Sequence, residues 1–235
     1  DGRLIIWSTD SRSGREKTAL TTKQSRVTAI AFHPNGKNLF LAGREVERWS
    51  AKTWQRTETI DLDGSAPFRI SAFSLDCTKV AGTHERALRV WDAQTGRVAR
   101  DFALMGVGLK AAFSPDGRLV AVGTLVNWGD TEGQKSGLQI WDLSSGKLKH
   151  AILVPTGSIS GLAFSHDAKT IAGGTHRELF AWDTESANLK QRFGGFSGPI
   201  EAVAFSPDDQ LLAAGGQGPE LRLPSPDGTV LLSEM

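Results

Sequence analysis

Phe113-Ser114-Pro115-Asp116-Gly117 and, further on, Leu138-Gln139-Ile140-Trp141-Asp142 form one copy of a unit that recurs along the whole chain. Tryptophans at 7, 49, 91, 141 and 182 are separated by 42, 42, 50 and 41 residues. A second anchor runs in phase with them: Phe32, Phe73, Phe113, Phe164 and Phe205, at steps of 41, 40, 51 and 41, each preceded by Ala. Two independent anchors that hold one period over five copies mark a repeat architecture. In such a fold each unit buries its apolar face against its neighbours.

Inside a unit the residues alternate between short strands and turn chemistry. Val27–Phe32 and Ile200–Phe205 have the apolar content of an inner strand. A tight turn follows, His33-Pro34-Asn35-Gly36 or Ser114-Pro115-Asp116-Gly117. Pro presets φ, Asp or Asn bonds its own backbone, and Gly accepts the left-handed conformation. Leu119–Val122 is the second strand of its copy, and Leu138–Trp141 the third. A polar turn with Thr95-Gly96 or Ser145-Gly146 leads to a weaker fourth strand such as Lys147–Ile152. Four strands in each unit, with no convincing helical period, predict an all-β fold of antiparallel sheets repeated radially.

These motifs resemble those of the WD-repeat β-propellers. Trp91-Asp92, Trp141-Asp142 and Trp182-Asp183 carry the dipeptide that names the family, with Trp7-Ser8 and Trp49-Ser50 as near copies. Phe205-Ser206-Pro207-Asp208 nearly repeats the first-turn motif, and the wording is closer to bacterial members. The resemblance covers essentially all 235 residues. It implies a β-propeller of four-stranded blades: residues 1–20 as outer strands of an incomplete blade, then five complete blades at about 21–62, 63–103, 104–152, 153–193 and 194–235. With the inner strands of its first blade missing, the chain is expected to be part of a larger ring, for which seven blades is a common family number. An open inner edge would seek strands to pair with.

The chain also departs from the family. The Gly-His pair before the inner strand, which in the family helps hydrogen-bond the Trp indole, is absent, so each buried indole N–H needs another acceptor or a water, and looser blades are expected. Cys77 stands where the first turn has Gly, and Leu223-Pro224 replaces the last Trp-Asp.

Composition narrows the function. Twenty-seven basic and 26 acidic side chains leave +1, which gives no long-range attraction to nucleic acid or an anionic membrane. No apolar run is long enough to form a membrane-spanning helix. The single Cys77 excludes an internal disulfide framework and fits a reducing, cytoplasmic setting. The five histidines show no metal-ligand spacing, and there is no nucleophile elbow or dinucleotide motif. No cofactor, metal or catalytic residue is therefore expected.

Two sets of residues stand out as candidate binding positions. Phe113 to Trp141 spans 28 residues against 17 or 18 in the other units, which leaves about ten extra residues between Gly123 and Gly137. This insertion holds Trp128, Asp130 and Glu132: Trp128 either anchors a partner or folds back on its own blade, and an acidic calcium loop lacks ligand spacing. The resemblance places the second set six and four residues ahead of each anchoring Phe. These are Arg26 and Thr28, Pro67 and Arg69, Val107 and Leu109, Ser158 and Ser160, Pro199 and Glu201. Trp54 falls on the opposite face. The mixed set suits a protein segment better than a phosphate backbone. The resulting expectation is a non-enzymatic scaffold or sensor that binds a protein or peptide on its top face. The alternative is a regulatory or substrate-positioning propeller attached to a catalytic domain.

Overall fold

Each repeat folds into one meander. The computed structural model describes residues 3–8, 16–125, 136–154, 157–216, 221–224 and 230–233, which carry 22 strands and no helix. β1 (Arg3–Trp7) and β2 (Glu16–Thr21) form a two-stranded sheet. Five four-stranded antiparallel sheets, the first to fifth blades, follow. The first holds β3 (Ala29–Phe32), β4 (Asn38–Ala42), β5 (Glu45–Ser50) and β6 (Arg56–Asp61). The second holds β7 (Arg69–Phe73), β8 (Lys79–His84), β9 (Ala87–Asp92) and β10 (Val98–Ala103). The third holds β11 (Val107–Phe113), β12 (Leu119–Leu125), β13 (Ser136–Asp142) and β14 (Leu148–Val154). The fourth holds β15 (Gly161–Phe164), β16 (Thr170–Gly174), β17 (Leu179–Asp183) and β18 (Leu189–Phe193). The fifth holds β19 (Ile200–Phe205), β20 (Leu212–Gly216), β21 (Leu221–Pro224) and β22 (Val230–Ser233). The described residues thus form a partial β-propeller, with each anchoring Phe ending an inner strand and Trp49, Trp91, Trp141 and Trp182 each in the third strand of a blade.

The core lies in the seams between blades. Phe40, Val46 and Ile60 of the first blade pack with Ile70, Val80 and Trp91 of the second. Leu88, Val90 and Phe102 meet Phe113, Val120 and Val122 across the next seam. Leu138 and Ile140 meet Phe164, Ile171 and Trp182 across the third. The two-stranded sheet leaves its seam incomplete. Trp7 is 57% and Phe32 55% exposed, against 8% for Phe113 and 9% for Phe164. Among the described residues no inner strand of a preceding blade lies against β3, and the same sequence anchor is exposed there.

The first turns close by a repeated clip. Ser74, Ser114, Ser165 and Ser206 donate to Asp76, Asp116, Asp167 and Asp208 over 2.5–2.7 Å. Each serine oxygen also accepts a backbone N–H five residues on. The next turn position is left-handed in all five blades: Gly36, Cys77, Gly117, Ala168 and Asp209, at φ 55–67°. Cys77 therefore sits in a conformation that suits Gly, with its buried thiol raised to about 11 by desolvation and Asp76. The Asp of each Trp-Asp pair caps the following turn. Asp92 accepts from the backbone of Gln94 and Thr95, Asp142 from the Ser144 hydroxyl and the Ser145 backbone, and Asp183 from the backbone of Glu185 and Ser186. The hydroxyl and backbone donors of Ser144 and Ser145 hold the Asp142 carboxyl well below the usual range.

The indoles find separate solutions. Glu47, fully buried, accepts from Trp49 Nε1 at 2.9 Å, Thr22 Oγ1 at 2.8 Å and Arg56 Nη1 at 3.2 Å. Trp91 donates to the Asp63 carbonyl at 2.8 Å. Trp141 Nε1 is buried with no acceptor among the described residues. The need for substitute acceptors is met in the first two blades and left unmet in the third.

The third blade differs in strand length from the sequence expectation. β12 continues to Leu125 and β13 begins at Ser136, pairing Thr124 with Gly137. Part of the inserted sequence therefore extends the hairpin instead of forming loop.

Candidate interaction face

Consecutive strands in a meander reverse direction, so alternate connections lie at opposite ends of a blade. The Ser-Asp clips and Trp-Asp turns share the lower face. The entries to the inner strands and the second-to-third turns share the upper face. On the upper face, Arg26, Thr28, Arg69, Leu109, Ser158, Ser160 and Glu201 line one cavity of about 610 Å³. They come from all five blades. Val107 and Pro199 lie outside its lining, and Pro67 lines an adjoining groove. Trp128, Asp130 and Glu132 lie outside the described residues.

The inner strands bring these side chains together because they start at the cavity and run from it to their anchoring Phe. Small polar residues stitch neighbouring inner strands. Ser71 Oγ accepts from the Ala111 N–H at 3.1 Å, and Ser160 Oγ donates to the Ile200 carbonyl at 2.9 Å. Ser160 thus has a structural bond as well as a place on the cavity wall. Thr28 Oγ1 donates to the Ala42 carbonyl at 3.2 Å.

Sequence reasoning missed Lys110. Strict alternation puts Leu109 and Lys110 on opposite sides, yet both line the cavity. The register of β11 against β12 slips between Gly108 and Lys110, and this bulge re-aims the local side chains. Similar slips fall between Ile70 and Ala72 and between Ile200 and Ala202, at the same end of their strands. A bulge depends on pairing with the next strand, so no residue in the sequence announces it.

The adjoining groove, about 670 Å³, lies between the segment 23–28 and the loop 61–69. It shares Arg26, Thr28, Arg69 and Ile70 with the cavity, so the two are continuous. Lys23, Gln24, Ser25, Arg44, Glu45, Asp61 and Ser65 complete its polar lining.

On the lower face, side chains cross between blades. His166 Nδ1 lies 2.9 Å from Asp209 Oδ1, and Asp209 also accepts the backbone N–H groups of His166 and Asp167. Arg100 donates to the carbonyls of Leu143 and Ser144, and His150 Nε2 lies 2.8 Å from the Glu185 carbonyl. These contacts fasten blades. Among the described residues no three of His, Cys, Asp and Glu form a group that could hold a metal, and no helix is long and apolar enough to cross a membrane.

Residues 187–232 match the family model described as WD domain, G-beta repeat. The chain is 29% identical over 171 residues to telomerase protein component 1 of Mus musculus, a match that covers 69% of this chain and 6% of that protein. It is 27% identical over 187 residues to the probable U3 small nucleolar RNA-associated protein 18 of Schizosaccharomyces pombe, covering 72% and 36%. A third relative, WD repeat-containing protein slp1 of the same yeast, is 26% identical over 130 residues, covering 52% and 26%. The chain therefore spans well under half the length of each of these relatives.

Proposed function

We propose that the chain is a WD-repeat β-propeller acting as a non-catalytic scaffold, which holds a segment of a partner protein over the axial cavity of its upper face. One observation carries this reading: seven positions drawn from all five blades line a single cavity. Their chemistry is mixed, with cations, hydroxyls, Leu109 and Glu201, as befits a surface that orients a protein segment. The histidines support a binding role over a catalytic one, since His84 and His176 belong to different blades and His150 and His166 are engaged in blade contacts. The relatives' names supply the context, as two are a telomerase component and a nucleolar RNA-associated protein. The partner is accordingly a subunit of a larger assembly.

The test is a photo-crosslinking amino acid placed at Leu109 and, as control, at Trp54 on the lower face. Partner adducts should form from position 109 and not from 54. Adducts only from position 54 would overturn the reading.

A further inference from the structure

We infer that the axial cavity and its adjoining groove bind an extended peptide segment bearing acidic side chains, which face Arg26, Arg69 and Lys110. This rests on the scaffold reading above and adds the chemistry of the partner. Three consecutive blades each send a cation to the cavity: Arg26 before β3, Arg69 at the start of β7 and Lys110 in β11. The groove adds Lys23 and Arg44. None of these five has an ion pair among the described residues, whereas Arg48, Arg56, Arg89, Lys149 and Arg192 all do. Unpaired cations that converge on a concavity favour an anionic ligand, because low-dielectric walls focus their field.

A second, independent observation concerns Gln24. It lines the groove beside Gly43, is 6% exposed, and neither Nε2 nor Oε1 has a partner. A carboxamide offers an NH2 donor group and a carbonyl acceptor, which the C=O and N–H of a peptide group complement. The remaining lining argues against a nucleic acid. Glu201, Glu45 and Asp61 are interspersed among the cations and would repel a continuous phosphate backbone. The aromatic ring in the groove, Phe68, is covered by Arg89 at 4.8 Å and meets Trp91 edge-on at 5.4 Å, so it gives bases no platform. Cations in the first three blades and Glu201 in the fifth also give the site polarity, which would fix the direction of a bound segment.

The experiment selects a displayed library of random dodecapeptides on the full chain, then measures the recovered peptides by fluorescence anisotropy. Enrichment in Asp and Glu is expected, with binding weakened at least tenfold by Arg69→Glu or Arg26→Glu and by raised salt. Lys52→Glu, on the lower face, should leave binding unchanged, and melting temperatures should show that the variants fold. Replacing the acidic residues of a selected peptide by Gln should cause a similar loss. Peptides without acidic enrichment that still depend on Leu109 would overturn the acidic assignment and leave the scaffold reading standing. Peptides that bind regardless of Leu109, Arg26 and Arg69 would overturn both. A uridine dodecamer that binds more tightly than the peptides and needs the same arginines would replace the proposal with single-stranded RNA.

Discussion

On the lower face, four of the five first turns close with the same serine-to-aspartate clip, and the next residue is left-handed in every blade. In the seams, the residue two before the repeat Trp is Glu47, Arg89, Gln139 or Phe180. Both belong to the same repeat, and residues i and i+2 of a strand share a face, so each of these four neighbours its Trp. Glu47 accepts the indole proton. Arg89 pairs with Asp101 at 2.6 Å and lies over the Trp91 ring. The Gln139 carboxamide is taken by the Met105 N–H and Thr124, which leaves Trp141 Nε1 without an acceptor. Phe180 stacks on Trp182 with centroids 5.5 Å apart. A turn closes within a few residues and tolerates one chemistry in all copies. A seam is filled by two blades together, so each copy must match a different neighbour.

The contrast is open to direct tests, beginning with the first seam. Glu47→Ala would leave Arg56, Thr22 and the Trp49 N–H without their acceptor. It should cost about 3–5 kcal/mol by denaturant unfolding, as expected when one member of a buried ion pair is removed. A loss below about 1 kcal/mol would mean that the carboxylate does not organise the seam.

Next comes a paired comparison of indoles. Trp49→Phe removes a hydrogen bond to a charged acceptor, worth about 1.5–3 kcal/mol beyond the lost ring area. Trp141→Phe removes a buried N–H that has no partner, so it should cost about 1–2 kcal/mol less than Trp49→Phe. Equal losses would show that the two seams do not differ as their hydrogen bonds indicate.

The turns should reveal themselves through pH. The aspartates of the clips and caps, among them Asp116, Asp142 and Asp183, are held below the usual carboxylate range. Asp116 is lowered by Ser114 and the Arg118 backbone against desolvation, Asp142 first by the Ser144 hydroxyl, and Asp183 first by the Ser186 backbone. A folded pKa below the unfolded value of about 3.9 adds stability that is present above that value and is lost as pH falls through the folded one. Urea midpoints should therefore change little from pH 7 to 5 and fall below about pH 4. Asp142→Ala should lower the midpoint at neutral pH and reduce the acid loss. An unchanged acid slope would remove that aspartate from the account.

The smallest effect lies at the shared left-handed position. Ala168, at φ 60°, bears the steric cost that Gly36 and Gly117 avoid. Ala168→Gly should relieve about 1–2 kcal/mol of backbone strain. Added freedom in the unfolded chain returns part of that. A net gain of about 0.5 kcal/mol in denaturant unfolding is expected, and a net loss would show that the Ala methyl packs more than the turn strains.

What the sequence determined by itself is what closes over short distances. The spacing of Trp and Phe fixed the blade, the Ser-Pro-Asp-Gly wording fixed the first turn, and Cys77 at a Gly position was legible as a left-handed residue. Each rests on backbone geometry within about five residues. The family resemblance supplied the offsets from each Phe, and seven of the ten positions they name line one cavity. Tertiary structure alone decided that Glu47 accepts the Trp49 N–H, since its other partners are Thr22, just beyond β2, and Arg56 of β6. It also decided that a bulge sets Lys110 beside Leu109 on the cavity, that Phe32 stays exposed while Phe113 is covered, and that β12 and β13 extend into the insertion. Each of these depends on a neighbouring strand or blade, whose distance from the residue in space has no counterpart in its distance along the chain.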